Sequence, residues 1–190
     1  MVNLTRIYTK TGEDGTTALG DMSRTTKNDL RLHAYADVDE ANSALGVVLA
    51  LGGLPDDLRT LLIAVQNDLF DVGADLCTPV VPEPAYPPLR VTDAYVERLE
   101  QACDTYNAPL EALRSFVLPS GTSAAALLHV ARTVVRRAER ATWLAFEQHG
   151  ETMNPLTARY LNRLSDLLFV LGRTLNRAAG GTDVQWRRDR

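Results

Sequence analysis

The sequence predicts an all-α fold, a five-helix bundle preceded by an ordered N-terminal loop, and three observations carry that expectation. Prolines stand at Pro55, Pro79 to Pro88, Pro109, Pro119 and Pro155, with long proline-free stretches between them. Proline inside a helix costs ~3 kcal/mol, so those stretches are where helices fit. Within them apolar residues recur at helical spacing, while no segment alternates apolar and polar over a useful length.

Each element follows in order. The first helix is expected from about Asn28 to Leu51, where Ala36, Ala44, Leu45, Val48 and Leu49 recur at helical intervals before the Gly52-Gly53 stop. The second follows Pro55 and carries the stripe Leu58, Leu61, Leu62, Val65, Leu69, Val72 and Leu76, ending near Thr78. PVVPEPAYPPLR is too proline-dense for a helix and reads as an ordered or extended loop. Thr92 is the expected N-cap of a third helix reaching about Asn107. The fourth and longest runs from about Thr122 to Gln148, after Pro119-Ser120-Gly121. The fifth begins near Pro155 and ends at about Ala179, stopped by Gly180-Gly181. The expected organisation is one domain over 1–190: a loop over 1–27, the bundle over 28–179, and a tail over 180–190 whose end, QWRRDR, is expected to be disordered.

Composition narrows the function. The 190 residues fit one compact domain, with 45% hydrophobic and 23% charged residues. A formal net charge of −4 gives no general attraction to nucleic acid or an anionic membrane, so any cationic site must be local. Cys77 and Cys103 form no C-x-x-C pair and no metal-ligand spacing with His33, His129 or His149, which suits reduced thiols in the cytoplasm. MVNLTRIYTKTGEDG has no apolar signal core, and no apolar run reaches membrane-span length. The E-x-x-H pattern of a di-iron bundle does not occur.

Five segments carry chemistry. In the N-terminal loop, Thr9-Lys10-Thr11-Gly12 and Gly15-Thr16-Thr17 let backbone approach a ligand closely, offer donors to phosphate oxygens and place Lys10 to neutralise them. Neither the P-loop pattern nor G-x-G-x-x-G is present, and a Gly/Thr loop alone is more often only a loop. In the fourth helix, Arg132, Arg136 and Glu139 share a face, and with Arg137 and Arg140 they concentrate positive charge in an acidic chain. Guanidinium forks suit triphosphate oxygens, while a solvated charged face is the plain alternative. In the fifth helix Leu161, Leu164, Leu168 and Leu171 form the apolar stripe, leaving Asn162 to meet a nucleotide or a neighbouring helix and Asp166 to hold an arginine. Asp39, in YADVDEANS, could pair with an arginine across helices or lie in a solvated acidic patch. Phe116, before Pro119-Ser120-Gly121, reads alone as a packing residue.

Taken in order, TRIYTKTGEDGTT, YADVDEANSALG, QNDLFDVGADL, FVLPSGTSAAALLHVARTVVRRAER and YLNRLSDLLF resemble the PduO-type ATP:cob(I)alamin adenosyltransferases from about Thr5 to Arg173. The resemblance implies a homotrimer of five-helix bundles with active sites between subunits. It implies that ATP, with magnesium, is held by Thr9, Lys10, Thr11, Gly12, Thr17 and Lys27, by Arg136, Arg137, Glu139 and Arg140, and by Asn162. It further implies that Arg132 pairs with Asp39 in support of cobalamin binding, and that Phe116 lies beside the lower face of the corrin and blocks return of the lower cobalt ligand. Glu13 stands where many members have Asp, Ser120 where a second Gly is common, and Ala18 where some relatives carry a hydroxyl.

The implied reaction is displacement at the ribose 5′ carbon by cob(I)alamin, with triphosphate leaving. That chemistry matches the lack of a Ser/His/Asp arrangement or an activated cysteine, because so reactive a nucleophile needs only binding, orientation and charge stabilisation. A flavin reductase as electron source and an adenosylcobalamin-dependent enzyme as recipient are the expected partners. The competing reading is a chaperone or sensor that binds adenosylcobalamin without significant turnover.

Overall fold

The computed structural model describes residues 8, 10–84 and 86–188. A small antiparallel hairpin, β1 (Thr16–Ala18) and β2 (Arg24–Thr26), leads into α1 (Leu30–Leu51), α2 (Asp56–Cys77), α3 (Asp93–Asn107), α4 (Ser123–His149), a 3-10 turn (Gly150–Thr152) and α5 (Leu156–Ala178). The five expected helices are all present, each within two residues of its expected start. Asp29 caps α1 through Arg31 N–H, and Thr122 caps α4 through Ala125 N–H. Thr92 starts α3 but makes no side-chain cap bond.

α4 is the central helix, packed against both α1 and α5. Its buried face is mostly small: Ala124, Ala125, Leu128, Ala131, Val135, Ala138 and Ala145. Alanine faces let helix axes approach closely, which suits a long helix placed between two neighbours. α1 runs antiparallel to α4. His149 meets Asp29 at one end, Arg137 meets Asp37 and Glu40 midway, and Gly52 faces Ala124 at the other end. α5 supplies the largest share of the core, with Tyr160, Leu161, Leu164, Leu167, Leu168 and Leu171 fully buried. The α2 stripe is buried as expected except for partly exposed Leu61, whereas Ala36 of the α1 pattern faces solvent.

The proline-rich connection after α2 is fastened by a carboxylate inside that helix. Asp75 is buried and accepts hydrogen bonds from Arg90 Nη1 (2.5 Å), Val91 N–H (2.7 Å) and Asn154 Nδ2 (2.7 Å). Arg90 also donates to the carbonyls of Thr78 (2.6 Å) and Pro79 (2.9 Å). A buried charge is tolerated when it is paired and fully hydrogen-bonded, which is the condition Asp75 meets.

Two expectations need correction. The 16–26 stretch is a hairpin rather than plain loop; strands of three residues are too short to show alternation, and β-branched Thr16, Thr17, Thr25 and Thr26 favour extended backbone. The start of the QWRRDR segment is paired rather than disordered. Leu118 N–H donates to Val184 O (2.7 Å), Trp186 N–H to Phe116 O (2.7 Å), and Ser115 Oγ–H to Trp186 O (2.7 Å). Among the described residues no helix is long and apolar enough to cross a membrane.

Candidate active site

The N-terminal loop is shaped by backbone that only glycine accepts easily. Gly12 has φ +79°, and a Cβ there would stand 2.4 Å from Thr16 O, so any side chain would displace the hairpin. The same Cβ position lies 3.6 Å from Lys27 Cε, which places the Lys27 stem beside Gly12. Lys27 N–H donates to Gly15 O (2.9 Å) and closes the loop. Lys10, with φ +58°, and Thr11 are exposed, and Thr17 is half-buried in β1. Lys10, Thr11, Gly12, Thr17 and Lys27 thus belong to one small folded unit; Thr9 lies outside the described residues.

On α4 the arginines divide by environment. Arg136 and Arg140 are exposed and form no ion pair among the described residues. Arg137 pairs with Glu40 and, at 3.6 Å, with Asp37, both on α1. The Glu40 hydrogen bond raises the Arg137 pKa further, so its charge is secure. Arg132 is half-buried and its Nε finds no hydrogen-bond partner among the described residues. Burial, and then the neighbouring Arg136 charge, push its pKa down from the usual arginine value. Glu139 accepts from Asn162 Nδ2 at 3.0 Å, joining α4 to α5 where the arginine face meets the last helix. Asp166 holds an arginine as expected, Arg163 at 2.7 Å.

Asp39 is exposed on α1 and meets no arginine among the described residues. Its neighbours Asp37 and Glu40 lie level with Arg137. Arg132 lies five residues (137 − 132) further along α4, about 7.5 Å down the helix axis.

Phe116 is 81% exposed, an unusual setting for a phenylalanine. The segment that carries it is held by the backbone pairing with residues 184–186 described above. The packing role read from sequence is therefore not the one it has; the ring is presented outward on a fixed backbone.

His129 stands behind the arginine face, almost fully buried, against the Phe169 ring and Gly172. Neither ring nitrogen has a hydrogen-bond partner among the described residues, contrary to the expected hydrogen-bonded structural histidine. Burial first, then Arg132, push its pKa down, with Asp183 opposing, so the ring is neutral near pH 7. Sequence reasoning also missed Asp29, Thr25 and His149, where the hairpin joins the bundle. The N-cap position of Asp29 before an apolar run was the available signal.

Known proteins resemble this chain in sequence and in fold. Residues 7–175 match the family model described as cobalamin adenosyltransferase. The chain is 60% identical over 186 residues to a corrinoid adenosyltransferase of Mycobacterium tuberculosis, covering 98% of this chain and 95% of that one. It is 41% identical to the corrinoid adenosyltransferase of Bacillus subtilis, covering 96% and 93%. Among solved structures, a phenylalanine-to-histidine variant of the PduO-type ATP:corrinoid adenosyltransferase of Lactobacillus reuteri, complexed with cobalamin and ATP, superposes with a TM-score of 0.88 at 34% identity, covering 96% of this chain and 97% of that one.

Proposed function

The chain belongs to the cobalamin adenosyltransferase family, and from that premise we infer that it transfers the 5′-deoxyadenosyl group of ATP to the cobalt of a reduced corrinoid, giving adenosylcobalamin and triphosphate. The observation that carries the mechanism is the pair of exposed arginines, Arg136 and Arg140, which form no ion pair among the described residues of a chain of net charge −4. Cobalt in its most reduced state attacks the 5′ carbon. A Co–C bond forms as the C5′–O bond breaks, and its electron pair leaves on the triphosphate. Charge therefore grows on the leaving oxygen, where guanidinium groups stabilise it most.

Each residue has a part in that step. Lys10, Thr11, Gly12, Thr17 and Lys27, with Thr9, cradle the phosphates through hydroxyls, backbone N–H groups and two ammonium charges. Arg136 and Arg140 meet the triphosphate. Arg137 is tied to Asp37 and Glu40, so it would reach the nucleotide only by sharing those carboxylates. The Glu139–Asn162 bond presents a polar edge for the nucleoside. Magnesium would arrive with ATP, bound to its phosphates.

The corrinoid half of the site rests on Phe116, Asp39 and Arg132. An outward-facing phenyl ring offers an apolar wall to the lower corrin face, where it keeps a donor ligand from returning to cobalt and so eases reduction. Asp39 meets no arginine and Arg132 Nε has no hydrogen-bond partner among the described residues, which suits a pairing between copies in a homotrimer with sites between subunits. A flavin reductase supplies the electron, an adenosylcobalamin-dependent enzyme receives the product, and the setting is cytoplasmic. Product analysis tests the reading: intact triphosphate released in step with corrinoid consumption supports it, whereas binding of ATP and corrinoid without release would leave a chaperone or sensor.

A further inference from the structure

A hydrogen-bonded chain joins the hairpin to the far end of the arginine helix. Asp29, the N-cap of α1, is half-buried. Its Oδ1 accepts from Arg31 N–H (2.8 Å) and faces His149 Nε2 (2.8 Å), and its Oδ2 accepts from Thr25 Oγ–H (2.8 Å). Opposite a carboxylate, His149 Nε2 carries the proton. Burial pushes the Asp29 carboxyl up, but the three hydrogen bonds outweigh it and hold it below the usual aspartate value. His149 is the last residue of α4, Thr25 is the centre of β2, and Lys27 lies two residues beyond Thr25. A cap requires only the bond to the α1 backbone. The other two bonds link β2 to the end of α4 through Asp29, two elements joined by no side-chain hydrogen bond of their own among the described residues.

We propose that His149, Asp29 and Thr25 form a positioning relay that sets the nucleotide loop, Gly12 and Lys27 above all, at a fixed place relative to α4. The relay rests on the reading of that loop as a phosphate cradle. Its function is to pre-order the loop before ATP arrives, because a loop that must be ordered on binding costs affinity. Breaking it therefore weakens ATP binding while the bound complex, once formed, reacts as before. His149, Asp29 and Thr25 touch no substrate in this account.

Titration calorimetry with ATP and magnesium, without corrinoid, reads the relay directly, alongside steady-state kinetics. His149→Ala and Thr25→Val are each expected to weaken ATP binding about tenfold, the loss typical of one charge-assisted hydrogen bond, with kcat and the corrinoid KM within about twofold of the parent. His149→Gln, whose amide nitrogen can replace Nε2, is expected to restore most of the affinity. Asp29→Ala removes the acceptor of both side-chain bonds together with the cap, so it should lose at least as much ATP affinity as Thr25→Val. Lys27→Ala separates the two ideas. If Lys27→Ala leaves ATP affinity unchanged, the cradle reading is wrong. If Lys27→Ala weakens ATP binding but His149→Ala and Thr25→Val do not, the relay is wrong and the cradle stands. Parallel loss of kcat, corrinoid binding and melting temperature in the relay variants, without rescue by His149→Gln, would reduce the three residues to fold support and overturn the proposal.

Discussion

Replacing Arg136 by alanine is the sharpest perturbation of the transfer step. Arg136 is exposed and makes no ion pair among the described residues, so its removal takes nothing from the core and breaks no bridge. Surface changes of that kind shift stability by at most ~0.5 kcal/mol, so the variant should melt with the parent. In the proposed transfer step the same side chain would face a leaving group on which charge grows. Removing one donor aimed at a developing oxyanion costs about 3 kcal/mol, or roughly 150-fold in kcat/KM. The assay is anaerobic turnover of pre-reduced cob(I)alamin with excess ATP, followed by visible absorbance, beside a thermal melt. Arg137→Ala is the internal comparison: it strips Asp37 and Glu40 of their partner and should lower the melting temperature as well as activity. Turnover of Arg136→Ala within about threefold of the parent, with the melt unchanged, would refute the role assigned to it.

The other predictions concern the corrinoid half of the site and a half-buried thiol. Phe116→Ala should lose more activity when the reaction starts from cob(II)alamin than from pre-reduced cob(I)alamin, because only the first route needs the lower ligand kept away; equal losses would remove that role. Exchanging charges, Asp39→Arg together with Arg132→Asp, should recover corrinoid kcat/KM relative to either single variant if the two meet between copies. A double variant no better than the singles would exclude the pair. Burial, aided by the Asp166 charge, pushes the Cys103 thiol up to about 11. At pH 8 its thiolate is therefore roughly a hundred times scarcer than that of an ordinary thiol, and alkylation by iodoacetamide should be correspondingly slow, rising with pH toward that value. Rapid labelling of Cys103 at pH 8 would contradict it.

Much of the bundle was legible because helices announce themselves over many residues. The α2 and α5 stripes each repeat enough times for periodicity to outweigh single exceptions, and proline and glycine mark the ends. Short or non-local features were not legible. The hairpin has strands of three residues, and the pairing of 184–186 with 115–118 joins segments about seventy residues apart mainly through backbone, which no side-chain pattern records. Ala36 was misplaced because alanine fits either face of a helix. Asp75 was missed because a carboxylate within an apolar stripe gives no hint of partners that come from two other parts of the chain. The site residues were legible mainly as ordered motifs. Their separate environments, with Arg137 paired, Arg136 exposed and Phe116 outward, became visible only in three dimensions.

One measurement bears most directly on the assignment. The purified protein is mixed under anaerobic conditions with cob(II)alamin, a reductant, magnesium and ATP, and the visible spectrum is followed to completion. The account predicts stoichiometric conversion to the spectrum of adenosylcobalamin, dependent on ATP and abolished by omitting the protein. A corrinoid spectrum that stays at the cob(II) or cob(I) state while both ligands are bound would contradict it.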